Sequence, residues 1–363
     1  MFGSFSPTMG LLPSLHLQQP TTVILYSPTM PVRMKDIAQS LGVSIVTVSK
    51  ALRDHPDIAL ATRQRVRDRV DELNYRPNLM ARSLVTGHSE LVGLVVPDLV
   101  HPFFGEIAKA LSAALRQKNF FLIVSSSDGD PTLEQAQIDH LLAYRLDALV
   151  VASCQPNPLA LQRVIEQGTP LVLLDRSFPT LDAHFVGADD YKIGVLAAQH
   201  LIACARTRIA HIRGPANAVA TQRIQGFLDT LAAHDLHPPE AFVSPKLPDA
   251  DPRKNGRIAM ERLLTLKPRP NAVFCFNDAV ALGAMEAAAA ANIKVPRDLA
   301  VIGCGNYHYD DTLRVTLSSV DQDSTAMGRR LAELVLKVVA GNGTLKPTRI
   351  ILKPKLVIRE STS

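Results

Sequence analysis

Tryptophan is absent from this 363-residue chain, and Phe and Tyr bring the aromatic share to only 5%. Cysteine is nearly as scarce. Cys154, Cys204, Cys275 and Cys304 stand alone, and no pair has metal-ligand or redox spacing, so they read as small buried hydrophobes in a reducing cytoplasm. No apolar run approaches the roughly 18 residues that a membrane helix needs. Residues 1–29 hold no Lys or Arg, so the basic start of a secretory signal is missing. A Gly-rich phosphate loop followed by Lys-Ser/Thr, a GxSxG elbow and a His-Glu-x-x-His motif are all missing too, which argues against an enzyme. His55, His88, His101, His184, His200 and His211 are scattered and read as structural. No cofactor or metal is expected.

What the chain does have is length for two or three domains, 47% hydrophobic residues and 20% charged ones, an ordinary globular balance. Its net charge of +5 is unevenly spread. Residues 30–88 carry ten Lys/Arg against six Asp/Glu, while the rest is almost neutral at 29 against 28. A basic module on a neutral body is the footprint of a nucleic-acid-binding domain fused to something else, although a charge run also suits a solvated helix face. Met30 and Met34 stand directly before the first helical pattern, so residues 1–29 are expected to be a mis-assigned or disordered leader.

That pattern is MKDIAQSLGVSIVTVSKAL, Met34–Leu52. Ile37, Ala38 and Leu41 give a first helix one apolar face. Gly42 permits a tight turn, and Ser44 is a good N-cap for a second helix. Val48, Ala51 and Leu52 face inward there, leaving Ile45, Val46, Thr47, Ser49 and Lys50 outward. This is the layout of a helix-turn-helix, whose second helix reads base edges from its N-terminal end, though helix pairs joined at a glycine also occur in folds that never touch DNA. Thr62–Asn74 reads as a third helix ringed by Arg63, Arg65, Arg67 and Arg69.

From Leu91 the texture becomes short apolar runs alternating with amphipathic stretches. Strands are expected at Leu91–Val96, Phe120–Ser125, Ala148–Ala152, Leu171–Leu174, Arg208–Ile212, Ala241–Ser244, Ala272–Phe276, Leu299–Ile302, Ser318–Val320 and Ile350–Ile358. Helices lie between most of them. Such alternation means parallel, doubly wound sheets, with enough units for two lobes and a ligand cleft at the carboxyl ends of the strands.

With these residues in view, the chain resembles the lactose/galactose repressor family of bacterial transcription regulators. KDIAQSLGVSIVTVSKAL, ELNYRPNLMARSL, HPFF, RIQGF and NDAVALGAMEA carry the resemblance over roughly residues 32 to 360. It implies an N-terminal all-α helix-turn-helix module plus an α/β, two-lobed body like a periplasmic sugar-binding protein. Residues 30–76 would be the reading module and 77–90 a hinge helix and linker. Residues 91–189 with 320–344 would form one lobe, and 190–319 with 345–363 the other. The implied partners are a second copy of the chain, a near-palindromic operator in duplex DNA and a small sugar-like effector. Residue by residue, Ser44, Thr47 and Ser49 would touch phosphates, and Ile45, Val46 and Lys50 would face bases. Asn78, Ala81 and Leu84 belong to the hinge, Leu84 as a minor-groove wedge. Phe103, Phe104, Asp175, Arg223 and Asn277 match effector positions, and Asp128 is a further carboxylate after a strand.

Two departures bear on specificity. Ile45 and Val46 offer no hydrogen bonds, so they can meet only apolar surface such as a thymine methyl, whereas Lys50 can donate to guanine. In the family a Gly-aromatic-Asp-Asp stretch supplies an effector-binding Asp, but here Gly303-Cys304-Gly305-Asn306 puts a glycine at that place. Asn306 or Asp310 would have to substitute. A solute-binding protein without a regulatory role is the alternative reading of the body taken alone.

Overall fold

The computed structural model describes residues 32–76, 87–247, 251–341 and 345–363. They fall into two units, divided between Asn78 and Leu79. The first is built from α1 (Met34–Leu41), α2 (Ile45–Leu52) and α3 (Leu60–Glu72). Gly42 ends α1 in the left-handed region at φ +67, where a side chain would be strained. Ser44 caps α2, its hydroxyl accepting from the Thr47 N–H at 3.0 Å. Ile37, Ala38, Val48, Ala51, Val66 and Tyr75 close a small core among the three helices.

The second unit opens with β1 (Leu91–Val96), α4 (Pro102–Arg116), β2 (Phe121–Ser126), α5 (Pro131–Ala143), β3 (Ala148–Val151), α6 (Leu159–Glu166), β4 (Leu171–Leu174) and β5 (His184–Ala188). It continues through α7 (Asp190–Ala203), β6 (Ile209–Ile212), α8 (Ala218–Ala232), α9 (Pro252–Leu264), β7 (Ala272–Cys275), α10 (Asp278–Ala290), β8 (Ala300–Cys304) and β9 (Ser318–Asp321). It closes with α11 (Ser324–Ala340), β10 (Arg349–Leu352) and β11 (Lys355–Val357). The strands form a six-stranded sheet in the order β10-β5-β4-β3-β1-β2 and a five-stranded sheet in the order β11-β9-β8-β7-β6. All described pairings are parallel except β11 with β9. Parallel strands are covered on both faces, which is why β3, β4, β6 and β7 are buried along their whole length.

The chain passes between the two sheets three times: at Asp189, at Gln322 and at Lys353-Pro354. The last passage corrects an expectation. The run 350–358 is two strands in different lobes, β10 beside β5 and β11 beside β9. Pro354 has no N–H to continue a ladder, so the strand breaks there. Segment 349–352 therefore lies in the first lobe, and the boundary falls at 353–354 rather than 345. Two further differences have local causes. The stretch 241–244 is a 3-10 turn, Glu240–Phe242, with a lone bridge from Val243 to His211. Pro238, Pro239 and Pro245 supply no donors around it. Strand β5 had no counterpart in the sequence reading, because a histidine opens it and a glycine interrupts its apolar run.

Candidate functional site: reading helix and interlobe cleft

On α2, Ile45 and Val46 are 47% and 64% exposed, directly after the capped turn. Two large apolar side chains are thus held in water by a backbone that Ser44 fixes. The neighbouring polar groups have partners within the unit. The Ser44 and Thr47 hydroxyls bond each other at 2.9 Å, and Ser49 Oγ accepts from Arg53 at 3.3 Å. Lys50 Nζ sits 2.9 Å from Asp57, whose carboxyl it holds below its ordinary value. The arginines of α3 are partly structural: Arg63 donates to Ile58 O at 2.8 Å, Arg69 to Ser40 Oγ at 3.1 Å, and Arg67 pairs with Asp54. Asn78, Ala81 and Leu84 lie outside the described residues.

Between the lobes is a cavity of about 230 Å³. Phe103, Phe104, Asp128, Asp175, Arg223 and Asn277, expected from sequence to meet an effector, all line it. They arrive there because the carboxyl ends of both parallel sheets and the helix starts that follow converge on the cleft. Phe103 and Phe104 are 4% and 5% exposed and pack edge to face at 5.1 Å, so they serve the core and the cavity wall together. Asp128 accepts from the Ser126 hydroxyl at 2.6 Å. Asp175 lies 3.9 Å from Arg176.

Arg223 is engaged on three sides. It donates to Asp190 at 2.9 Å, to the Phe276 carbonyl at 2.8 Å and to Gln322 at 2.7 Å, and its guanidinium stands 4.7 Å from the Phe276 ring centre. Asp190 and Gln322 flank two of the three passages between lobes, so this buried guanidinium ties the crossings together. Close helix approach sets it there: a Cβ on Gly194 of α7 would stand 2.0 Å from the Arg223 carbonyl. Burial lifts the Asp190 carboxyl to about 7, and the adjacent guanidinium opposes that lift.

Asn277 bridges the cleft. Its Oδ1 accepts from the Val280 N–H at 2.9 Å, capping α10, which turns Nδ2 toward His101 Nε2 of the other lobe at 3.2 Å. The amide is a donor there, so His101 Nε2 is the acceptor.

Asn306 is a correction. It does not line the cavity; its Oδ1 accepts from Arg359 at 2.6 Å and its Nδ2 donates to Asp321 at 3.2 Å. Asp310 does not substitute for the missing carboxylate either. It is fully buried against Asp278, and both accept from the Tyr307 N–H, at 2.9 and 3.4 Å. Two carboxyls in one dry site cannot both ionise. Burial raises Asp278 to about 6 and Asp310, beside it, to about 9. What fills the place is Tyr307: a Cβ on Gly305, itself at φ +137, would lie 2.3 Å from its ring. Tyr307 lines the cavity and meets His101 edge-on at 5.5 Å. Sequence reasoning missed His101, Tyr307, Phe276 and Arg213. His101 opens the quoted HPFF run, Phe276 adjoins a quoted motif, and Arg213 follows directly on a strand expected to end at 212, so position was the available signal.

Comparison with known proteins agrees with both units. Residues 33–78 match bacterial regulatory proteins of the lacI family, and residues 89–360 match periplasmic binding proteins and the sugar-binding domain of the LacI family. The chain is 32% identical to the transcriptional regulator GalR of Escherichia coli K12 over 91% of this chain and 95% of that one. It is 30% identical to the regulator DegA of Bacillus subtilis 168, over 92% and 99%. The crystal structure of the Lac repressor dimer bound to operator and an anti-inducer superposes with a TM-score of 0.81 at 25% identity, covering 92% of this chain and 99% of that chain. A complex of the regulator CelR with cellobiose gives 0.69 at 28% identity, over 91% and 99%. A regulatory module at the N-terminal end sets aside the reading as a bare solute-binding protein.

Proposed function

The chain belongs to the lacI family of bacterial regulatory proteins, and on that premise we propose that it is a repressor working in the cytoplasm as a homodimer on a near-palindromic operator. The observation that carries this reading is the pair Ile45 and Val46, solvent-exposed at the capped start of α2, where a helix-turn-helix meets base edges. Both contribute apolar contact to thymine methyls, and Lys50 contributes one donor to guanine once it leaves Asp57. Ser44, Thr47 and Ser49 hold phosphates. Asn78, Ala81 and Leu84 complete the grip as a hinge segment, with Leu84 wedged into the minor groove.

The interlobe cavity takes the effector, which relatives such as the CelR–cellobiose complex suggest is sugar-like. Phe104, Asp128, Asp175 and Asn277 are its contacts. Arg223 acts chiefly on the lobe crossings and reaches a ligand with what donor capacity remains. Because Asn277 and His101 already join the lobes, a ligand entering between them changes how the lobes close, and closure sets DNA affinity.

Selection of bound fragments from random duplex DNA by the full chain is the test. The expected result is a palindromic site with A·T-rich reading positions and an affinity that falls steeply with salt, as phosphate neutralisation demands. Binding without sequence preference, or with no salt dependence, would overturn the reading.

A further inference from the structure

The two walls of the cleft carry opposite chemistry, and we propose that they select a hydroxylated monocarboxylic acid of monosaccharide size, its carboxylate seated on Arg213. This rests on the effector reading of the same cavity.

Arg213 follows β6 at its carboxyl end and lines the cavity, half-buried. Its backbone N–H donates to Ser244 Oγ at 2.9 Å. Its guanidinium makes no hydrogen bond or ion pair among the described residues, although it brings five donors and no acceptor. A partly desolvated cation without a partner is costly in an empty protein and useful in one that awaits an anion. Asn217, on the same wall, spends its Oδ1 on the Ala220 N–H at 2.9 Å and leaves its NH2 to the cavity. Arg223 is largely committed. Asp251 is the acceptor on this side, and it caps α9 through the Lys254 N–H at 3.1 Å. No side chain at Gly305 adds another acceptor, and Tyr307 fills that space with a ring. This wall is short of acceptors.

The opposite wall is rich in them. Asp98, Asp128 and Asp175 line it, together with one cation, Arg176, which lies 3.9 Å from Asp175 and donates to the Ser153 carbonyl at 3.4 Å. Asp98 takes one backbone N–H, from Val100 at 2.7 Å, and Asp128 one hydroxyl, so each keeps lone pairs for ligand hydroxyls. Phe276 and Val219 supply apolar surface between the walls. A cavity of about 230 Å³ lies just under the usual range for drug-sized ligands, which suits a molecule of about six carbons. A carboxylate fits better than a phosphate. Arg213 offers one fork that a carboxylate matches two-for-two, whereas a phosphate near pH 7 brings roughly 1.5 to 2 negative charges toward a cavity already holding several aspartates.

Isothermal titration of the full chain decides it, with gluconate and galacturonate as acids, glucose and galactose as neutral counterparts, and glucose 6-phosphate as the dianion. The expected result is that an acid binds at least about tenfold tighter than its neutral counterpart. Arg213→Gln should remove about tenfold or more of that affinity, the worth of a charge-assisted bond, and Arg213→Lys should restore part of it. The melting temperature of each ligand-free variant reports its folding. Tighter binding of neutral sugars overturns the acid proposal and leaves the effector cleft standing. Acid affinity unchanged in Arg213→Gln removes Arg213 from the site. Arg213-dependent preference for the phosphate overturns the monocarboxylate. Silence from all three classes at millimolar concentration sinks both this proposal and the effector reading beneath it.

Discussion

The reading helix and the body's interior break the usual sorting of side chains in opposite directions. On α2, Ile45 and Val46 stand in water while the small core behind them is already filled by Val48 and Ala51. In the body, Arg223, Asp190, Asp278 and Asp310 are withdrawn from water, all at or below 6% exposure. Apolar groups outside and charges inside both cost free energy, so each needs a return. Outside, the proposed return is apolar contact with the bases of an operator. Inside, a charge held by several bonds permits one geometry, and here that geometry fixes where the lobes join. On the proposed reading, the exposed apolar pair serves recognition and the buried Arg223–Asp190 pair serves positioning.

Four experiments would break or sharpen this contrast. The largest effect is expected from Arg223→Met, which leaves Asp190 buried and unpaired and should lower the unfolding free energy by about 3–5 kcal/mol in urea titration. A loss under about 1 kcal/mol would mean that the buried ion pair does not hold the crossings.

Next comes the carboxyl pair. Asp278 and Asp310 have folded values raised above the ordinary 3.8, to about 6 and about 9. Their contribution is therefore full in acid and is lost as pH rises through those values. The melting temperature, followed from pH 5 to pH 9, should fall by several degrees. Asp310→Asn, which supplies a permanent amide donor to Asp278, should flatten the curve, and an unchanged slope would place its origin elsewhere.

On the reading helix, Lys50→Ala should weaken operator binding by about 1–3 kcal/mol where guanine stands at the matching position and much less elsewhere. Uniform loss on all sequences, measured by fluorescence anisotropy, would make Lys50 a phosphate contact. The smallest effect belongs to Asp57→Asn. It releases Lys50 from an exposed ion pair and should raise operator affinity about two- to fivefold, in keeping with the modest worth of such pairs. A decrease would show that Asp57 orients Lys50 for reading.

The helix-turn-helix was legible because everything that specifies it is local: a glycine, a cap and apolar spacing within twenty residues. The two-lobed body was legible as a rhythm, and four of the seven cleft candidates lie in quoted motifs. Asn306 could not be placed, because its partners Arg359 and Asp321 come from distant elements. For the same reason Arg223 read as a ligand contact. Its partners Asp190 and Gln322 lie 33 and 99 residues away, and only the fold brings them together. The broken strand at Pro354 was locally visible, since a proline in a run of nine is a stop sign that apolar alternation outweighed.

The fit of Tyr307 over Gly305 couples the two positions. Introducing an aspartate at 305 would push a Cβ to 2.3 Å from the tyrosine ring and hold an L residue at φ +137. Neither substitution is useful alone: the carboxylate has no room while the ring is present, and removing the ring first opens a void against His101. A protein engineer who wants a carboxylate at 305 must therefore change both residues together.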